Sequence, residues 1–119
     1  MATKQELREA LDDYITRANN SPRVKKTLKN WSCVIHLYAT DLQDAFTMTV
    51  RDGEVASIQD GAQGQADLIV RGASEDLTNV FWGDENPASN YMQGAITTQG
   101  PQDDVMKLDA MAMFIYLNQ

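Results

Sequence analysis

His36 is the single histidine of the chain and Cys33 its single cysteine. Acyl-transfer chemistry of the Ser-His-Asp or Cys-His kind needs an imidazole base within hydrogen-bond reach of its nucleophile. A spacing of three along a strand sends the two side chains to opposite faces of the pleat, so they point apart. His36 is expected to be a solvent-facing or hydrogen-bonded strand residue, and no catalytic residue emerges. One cysteine also excludes an internal disulfide, a C-x-x-C redox pair and a Cys-rich zinc site.

Oxygen ligands cluster at Gly83-Asp84-Glu85-Asn86 and at Asp103-Asp104. Neither run has the alternating Asp or Asn closed by a distant Glu that a calcium loop requires; both read better as helix-start residues, and no metal is expected. The glycines stand singly, with no G-x-G-x-x-G and no phosphate-loop lysine, so no cofactor is implied. Arg23, Lys25, Lys26 and Lys29 form the one dense cationic patch. It is either a solvated helix face or a rest for an anionic headgroup. Met48, Met92, Met106, Met111 and Met113 are either core filler or the lining of an adaptable pocket, since an unbranched thioether repacks readily.

These residues sit in a chain of 119, which suits a single domain over 1–119. With 43% hydrophobic and 23% charged residues it has ordinary globular composition. A formal charge of −7 repels nucleic acid and anionic lipid headgroups. Residues 1–60 hold eight basic and nine acidic groups, and 61–119 hold two and eight, so any anion would prefer the first half. The first thirty residues contain no apolar secretory core, and no run approaches the roughly 18 apolar residues of a membrane span. The terminal Leu117-Asn118-Gln119 matches no lipidation or retention signal. A cytoplasmic protein without stable membrane insertion is expected.

Thr3 and Glu6 form a capping-box start, followed by Leu7, Leu11, Tyr14, Ile15 and Ala18 at helical intervals. Ser21-Pro22 opens a shorter helix with Val24, Leu28 and Trp31 on one face. The period then changes to two: Cys33, Ile35 and Leu37 in one run, Phe46, Met48 and Val50 in the next. Asp52-Gly53 is the strongest hairpin signal and leads to Val55–Ile58; a turn over 60–65 leads to Ala66–Arg71. This spacing predicts a four-stranded antiparallel meander. Ser74 is the expected N-cap of a helix carrying Leu77, Val80 and Phe81 and stopped by Gly83. Asn86-Pro87 starts a short helical turn through Tyr91 and Met92, Ala95–Gln99 is a fifth strand, and Gly100-Pro101 opens the last helix. That helix, from Val105 to Leu117, is apolar nearly all round in its final two turns and must be covered on several sides.

The order of Phe46-Thr-Met-Thr-Val-Arg-Asp-Gly53, Ala66-Asp-Leu-Ile-Val70, Ser74-Glu-Asp-Leu77, Gly83, Asn86-Pro87, Gly94 and Gly100 resembles the sterol carrier protein type 2 domain over nearly the whole chain. The resemblance implies an α+β fold, with a five-stranded, mostly antiparallel sheet, helices packed on one face and an apolar tunnel between them. It also implies non-covalent binding and transfer or presentation of fatty acids, acyl coenzyme A, sterols or isoprenoid-like lipids, and it hands over no catalytic residue. Ala95 stands where the family commonly has Lys, and Pro101 where it commonly has Asp.

Burial arguments nominate Phe46, Met48, Leu77, Phe81, Met92, Leu108, Met111, Ala112 and Ile115 as ligand-lining residues between the layers. Burying about fourteen methylenes at about 0.8 kcal/mol each gives on the order of 11 kcal/mol before ordering costs, so an apolar hole suffices for binding. The expected partner is an apolar small molecule; a homodimer or an enzyme partner is the further expectation. The alternative is an interaction or dimerisation module that docks through the apolar C-terminal helix.

Overall fold

The computed structural model describes residues 2–117. Helix α1 (Lys4–Asn19) begins with the expected reciprocal cap: Thr3 Oγ1 accepts from Glu6 N, and Glu6 accepts from Thr3 N. Its buried stripe is Leu7, Ala10, Leu11, Tyr14 and Ala18. Helix α2 (Pro22–Thr27) starts with proline in its first turn and Ser21 Oγ accepting from Val24 N. Both starts supply acceptors for amides that have no partner inside the helix.

Strands β1 (Cys33–Ala39), β2 (Asp44–Arg51) and β3 (Glu54–Asp60) form successive antiparallel hairpins. The second turns on Asp52 and Gly53, both at positive φ (52° and 79°), the backbone twist that a tight two-residue hairpin demands. Gly53 has a second reason to be glycine, since a Cβ there would stand 2.8 Å from the Leu28 carbonyl oxygen.

Strand β4 (Leu68–Gly72) departs from the expected meander. It pairs parallel with β1, Ile35 opposite Leu68 through Ala39 opposite Gly72, and β5 (Ile96–Gln99) pairs antiparallel with β4. Among the described residues the sheet has five strands in the order β3-β2-β1-β4-β5, mostly antiparallel with one parallel pair. The reason lies in segment 61–67, which crosses the outer face of the sheet. Gly61 N donates to Ala45 O (2.8 Å), Thr47 Oγ1 donates to Gly61 O and accepts from Gln63 N (both 2.7 Å), and Asp67 N donates to Val34 O (2.8 Å). Seven residues in extended form reach roughly 23 Å, enough to cross from the end of β3 to the start of β4.

The helices cover the other face. Tyr14 of α1 meets Phe81 of α3 (Ser74–Trp82) edge to face at 5.0 Å, and the Arg17 guanidinium donates to the Phe81 carbonyl. Asn19 brackets the backbone of edge strand β3, donating to Val55 O (3.0 Å) and accepting from Val55 N (2.9 Å). Ser74 is not the N-cap of α3 but its first helical residue; Ala73 holds the cap position. What replaces the side-chain cap is Asp41, whose carboxylate accepts from Ser74 N (2.8 Å) and Ser74 Oγ (2.7 Å). Gly83, at φ 86°, ends α3 as expected.

Helix α4 (Pro87–Met92) is opened by Asn86, whose Oδ1 accepts from Ala88 N (2.9 Å). Helix α5 (Gln102–Leu117) is tied at its start by Trp31 Nε1 donating to Asp104 (2.9 Å) and near its end by the Arg23 guanidinium 4.2 Å above the Phe114 ring. Val105, Met111 and Ile115 of α5 are buried, while Met106 and Leu117 remain exposed. In its last two turns residues 111–116 are all buried or half-buried and Leu117 is exposed, so the segment is partly covered on most sides, as its apolar pattern requires. The final residues Asn118 and Gln119 lie outside the described ones, and none of the described helices is long and apolar enough to cross a membrane.

Candidate ligand cleft

An apolar cleft opens between the helical layer and the sheet. Leu37, Met48, Val70, Ile96 and Thr98 form its floor, Tyr14 and the α3 residues Leu77, Val80 and Phe81 one wall, Leu108, Asp109 and Ala112 of α5 the other, and Pro87 and Asn90 of α4 its cover. Alternation along the strands explains the floor, because Leu37, Met48 and Val70 share the inward face. The cleft, open on one side, holds about 70 Å³. A second hollow of about 170 Å³, lined by Pro87, Ala88, Met92, Asp109 and Met113, adjoins it and shares Pro87 and Asp109. The space inside is thus a small cleft with an outer vestibule between α4 and α5. Small-molecule pockets usually measure about 300–1,000 Å³, so each hollow is smaller than a long ligand needs.

Five of the nominated residues, Met48, Leu77, Phe81, Leu108 and Ala112, lie on the cleft wall. Phe46 does not: it is packed at the far end of β2, with Lys4 Nζ 5.8 Å from its ring centroid. Met111 and Ile115 are buried on the neighbouring stripe of α5, turned into the core rather than the cleft. Met92 is 86% exposed and reaches only the vestibule. Tyr14, Leu37, Val70, Val80, Pro87, Asn90, Ile96, Thr98 and Asp109 were not among the sequence nominees. Leu37, Val70 and Ile96 carried a signal, being inward in the same alternation as Met48.

The proposed headgroup cations stay away from this space. Val24 and Leu28 turn inward, so the opposite face of α2 points out. Arg23 lies over Phe114, Lys25 pairs with Glu54 (3.1 Å), and Lys26 and Lys29 are exposed. Among the described residues no Lys or Arg lines the cleft or the vestibule. The charges at hand are acidic. Burial holds the Asp109 carboxyl above the usual carboxylate range, and it likewise raises the Tyr14 phenol.

Asn90 is the most unusual wall residue. It is 3% exposed, and its Nδ2 donates to Glu85 Oε2 at 2.7 Å, which fixes the amide orientation. Its Oδ1 is buried and has no hydrogen-bond partner among the described residues.

His36 and Cys33 form no site. His36 lies under the crossing segment, its Nε2 3.1 Å from Gln63 O; a carbonyl only accepts, so the ring proton is on Nε2. Cys33 faces the core, and burial together with the carboxylates of Asp104 and Asp67 pushes its thiol up to about 12. No group of three potential metal ligands occurs among the described residues.

The model of the SCP-2 sterol transfer family matches residues 11–113. The chain belongs to this family. No curated protein sequence matches it. Solved structures of the SCP-2 type share its fold. The sterol carrier protein domain 2 of Helicoverpa armigera superposes with a TM-score of 0.73 at 13% identity, covering 97% of this chain and 93% of that one. A crystal structure of sterol carrier protein 2 gives 0.69 at 15%, covering 92% of each. A palmitated SCP2L2 from Aedes aegypti gives 0.65 at 15%, covering 94% and 95%. SCP-2 membership supports lipid binding or transfer in general terms.

Proposed function

We propose that residues 1–119 act as one unit that holds an apolar, lipid-like molecule non-covalently between sheet and helices and transfers or presents it without catalysis. The observation that carries this reading is an apolar cleft, next to a second hollow between α4 and α5, in a member of a lipid-transfer family. The palmitated state of the Aedes aegypti relative supports a lipid guest. The absence of a paired nucleophile and base around His36 and Cys33 favours a carrier over an enzyme. Native mass spectrometry followed by organic extraction tests it. An extractable apolar molecule, or displacement of a fluorescent long-chain probe at micromolar concentration, is the expected result; protein that carries nothing and takes up no probe would refute it.

Docking through α5 is a second reading, favoured by Met106 and Leu117, which are 59% and 63% exposed. A tight dimer by light scattering that dissociates on Leu117→Glu would favour it. A monomer whose state that change leaves untouched would remove it.

A further inference from the structure

An acceptor buried without a donor costs roughly 1–3 kcal/mol, and natural interiors seldom tolerate one without a purpose. Among the described residues Asn90 Oδ1 is such an atom, at the wall of a cleft whose other surfaces are mostly carbon. Its orientation is not free to change: Nδ2 is spent on Glu85 at 2.7 Å, and turning the amide would set oxygen against a carboxylate. What Asn90 Oδ1 lacks is therefore a donor. The charges around it point the same way. Asp109 stands where cleft and vestibule meet, Glu85 lies behind Asn90, and no cation lines either space among the described residues. A carboxylate or phosphate brought here would be stripped of water with no cation to pair with.

We infer that the cleft selects apolar ligands ending in an uncharged hydrogen-bond donor, a hydroxyl that Asn90 Oδ1 accepts, and discriminates against ligands ending in a carboxylate or phosphate. This rests on the ligand-binding reading above and narrows it to a class: long-chain or polycyclic alcohols over fatty acids and acyl coenzyme A. Asn90 is the specificity residue and Asp109 the group that turns anions away. The basic face of α2 takes no part.

Three fluorescent probes of one chain length, ending in a primary alcohol, a carboxylate or a methyl group, test this by titration at pH 8. The alcohol binds at least about tenfold more tightly than the carboxylate, a difference of about 1.4 kcal/mol. Asn90→Leu weakens the alcohol about fivefold, the worth of one ordinary hydrogen bond, and leaves the methyl-ended probe within twofold. Asp109→Asn, which removes a partly desolvated charge, raises carboxylate affinity at least about threefold relative to the alcohol, and it keeps the idea testable should Asn90→Leu not fold. Equal binding of alcohol and carboxylate would overturn the inference and leave the carrier reading standing, as would an Asn90→Leu protein with unchanged alcohol affinity or an Asp109→Asn protein with unchanged carboxylate affinity relative to the alcohol. Binding of none of the three probes would overturn both.

Discussion

Ala112 is the smallest side chain on the α5 wall of the cleft, and lengthening it separates stability from binding. Ala112→Leu adds three carbon groups facing a void of about 70 Å³. Cavities in protein cores cost about 24 cal/mol per Å³, so filling this one recovers at most about 1.7 kcal/mol. The added carbons supply about 2.4 kcal/mol of transfer energy if all are buried, and the two figures agree that about 1–2 kcal/mol is available. For a chain of this length, about 1 kcal/mol moves the melting temperature about 4 °C, so delipidated Ala112→Leu should melt about 4–8 °C above the parent by circular dichroism. The same atoms occupy the guest's place, and affinity for a fluorescent long-chain probe should fall at least about tenfold. A lower melting temperature would mean the space is not available to side chains. A higher one with undiminished probe binding would mean the guest sits elsewhere, and the cleft would lose its assignment.

Asp41 accepts from both Ser74 N and Ser74 Oγ, which hold its carboxyl below the usual value of 3.8. Because the folded form binds its proton less readily, this contribution is present above about pH 4 and lost as pH falls through the folded value. Urea unfolding of Asp41→Asn should therefore show a flatter acid limb than the parent, and an unchanged limb would contradict the account. Cys33, with its thiol raised to about 12, should resist a chromogenic disulfide reagent at pH 8 in native buffer and react fully in urea. Gly53→Ala puts a side chain at φ 79° and 2.8 Å from a carbonyl oxygen; it should cost more than about 1 kcal/mol in urea unfolding, and a neutral outcome would refute the turn geometry.

Local chemistry was legible where it acts locally. The Thr3/Glu6 cap, Ser21-Pro22, the Asp52-Gly53 turn and the Gly83 stop each depend on a few adjacent residues, and each appears in the structure. The partner of β4 was not legible, because a period of two tells which side chains share a face and not which neighbour a strand takes. The cap of α3 failed for a related reason: Asp41, 33 residues upstream, accepts from both Ser74 N and Ser74 Oγ, so the serine lies inside the helix as the capped residue and Ala73 takes the cap position. In α5 the apolar pattern gave one broad face over Val105, Leu108, Met111, Ala112 and Ile115, which the structure divides in two. Leu108 and Ala112, four apart, face the cleft, and Met111 and Ile115, also four apart and about 60° round, face the core. Asn90 gave no signal at all, since its burial and its bond to Glu85 depend on where the short helix α4 settles.

The span from Gly61 to Asp67 acts as a ruler. With seven residues the chain can step over two strands and lodge β4 in the middle of the sheet, whereas a connector trimmed by three or four could reach only the open edge beside β3. Leu68 and Val70 would then leave the centre, β5 would follow them, and the floor under the guest would be gone although every helix survived. Gly64, at φ 67° with nothing within 4 Å of a would-be Cβ, lies on that span, so lengthening there should be harmless and shortening should rewire the topology.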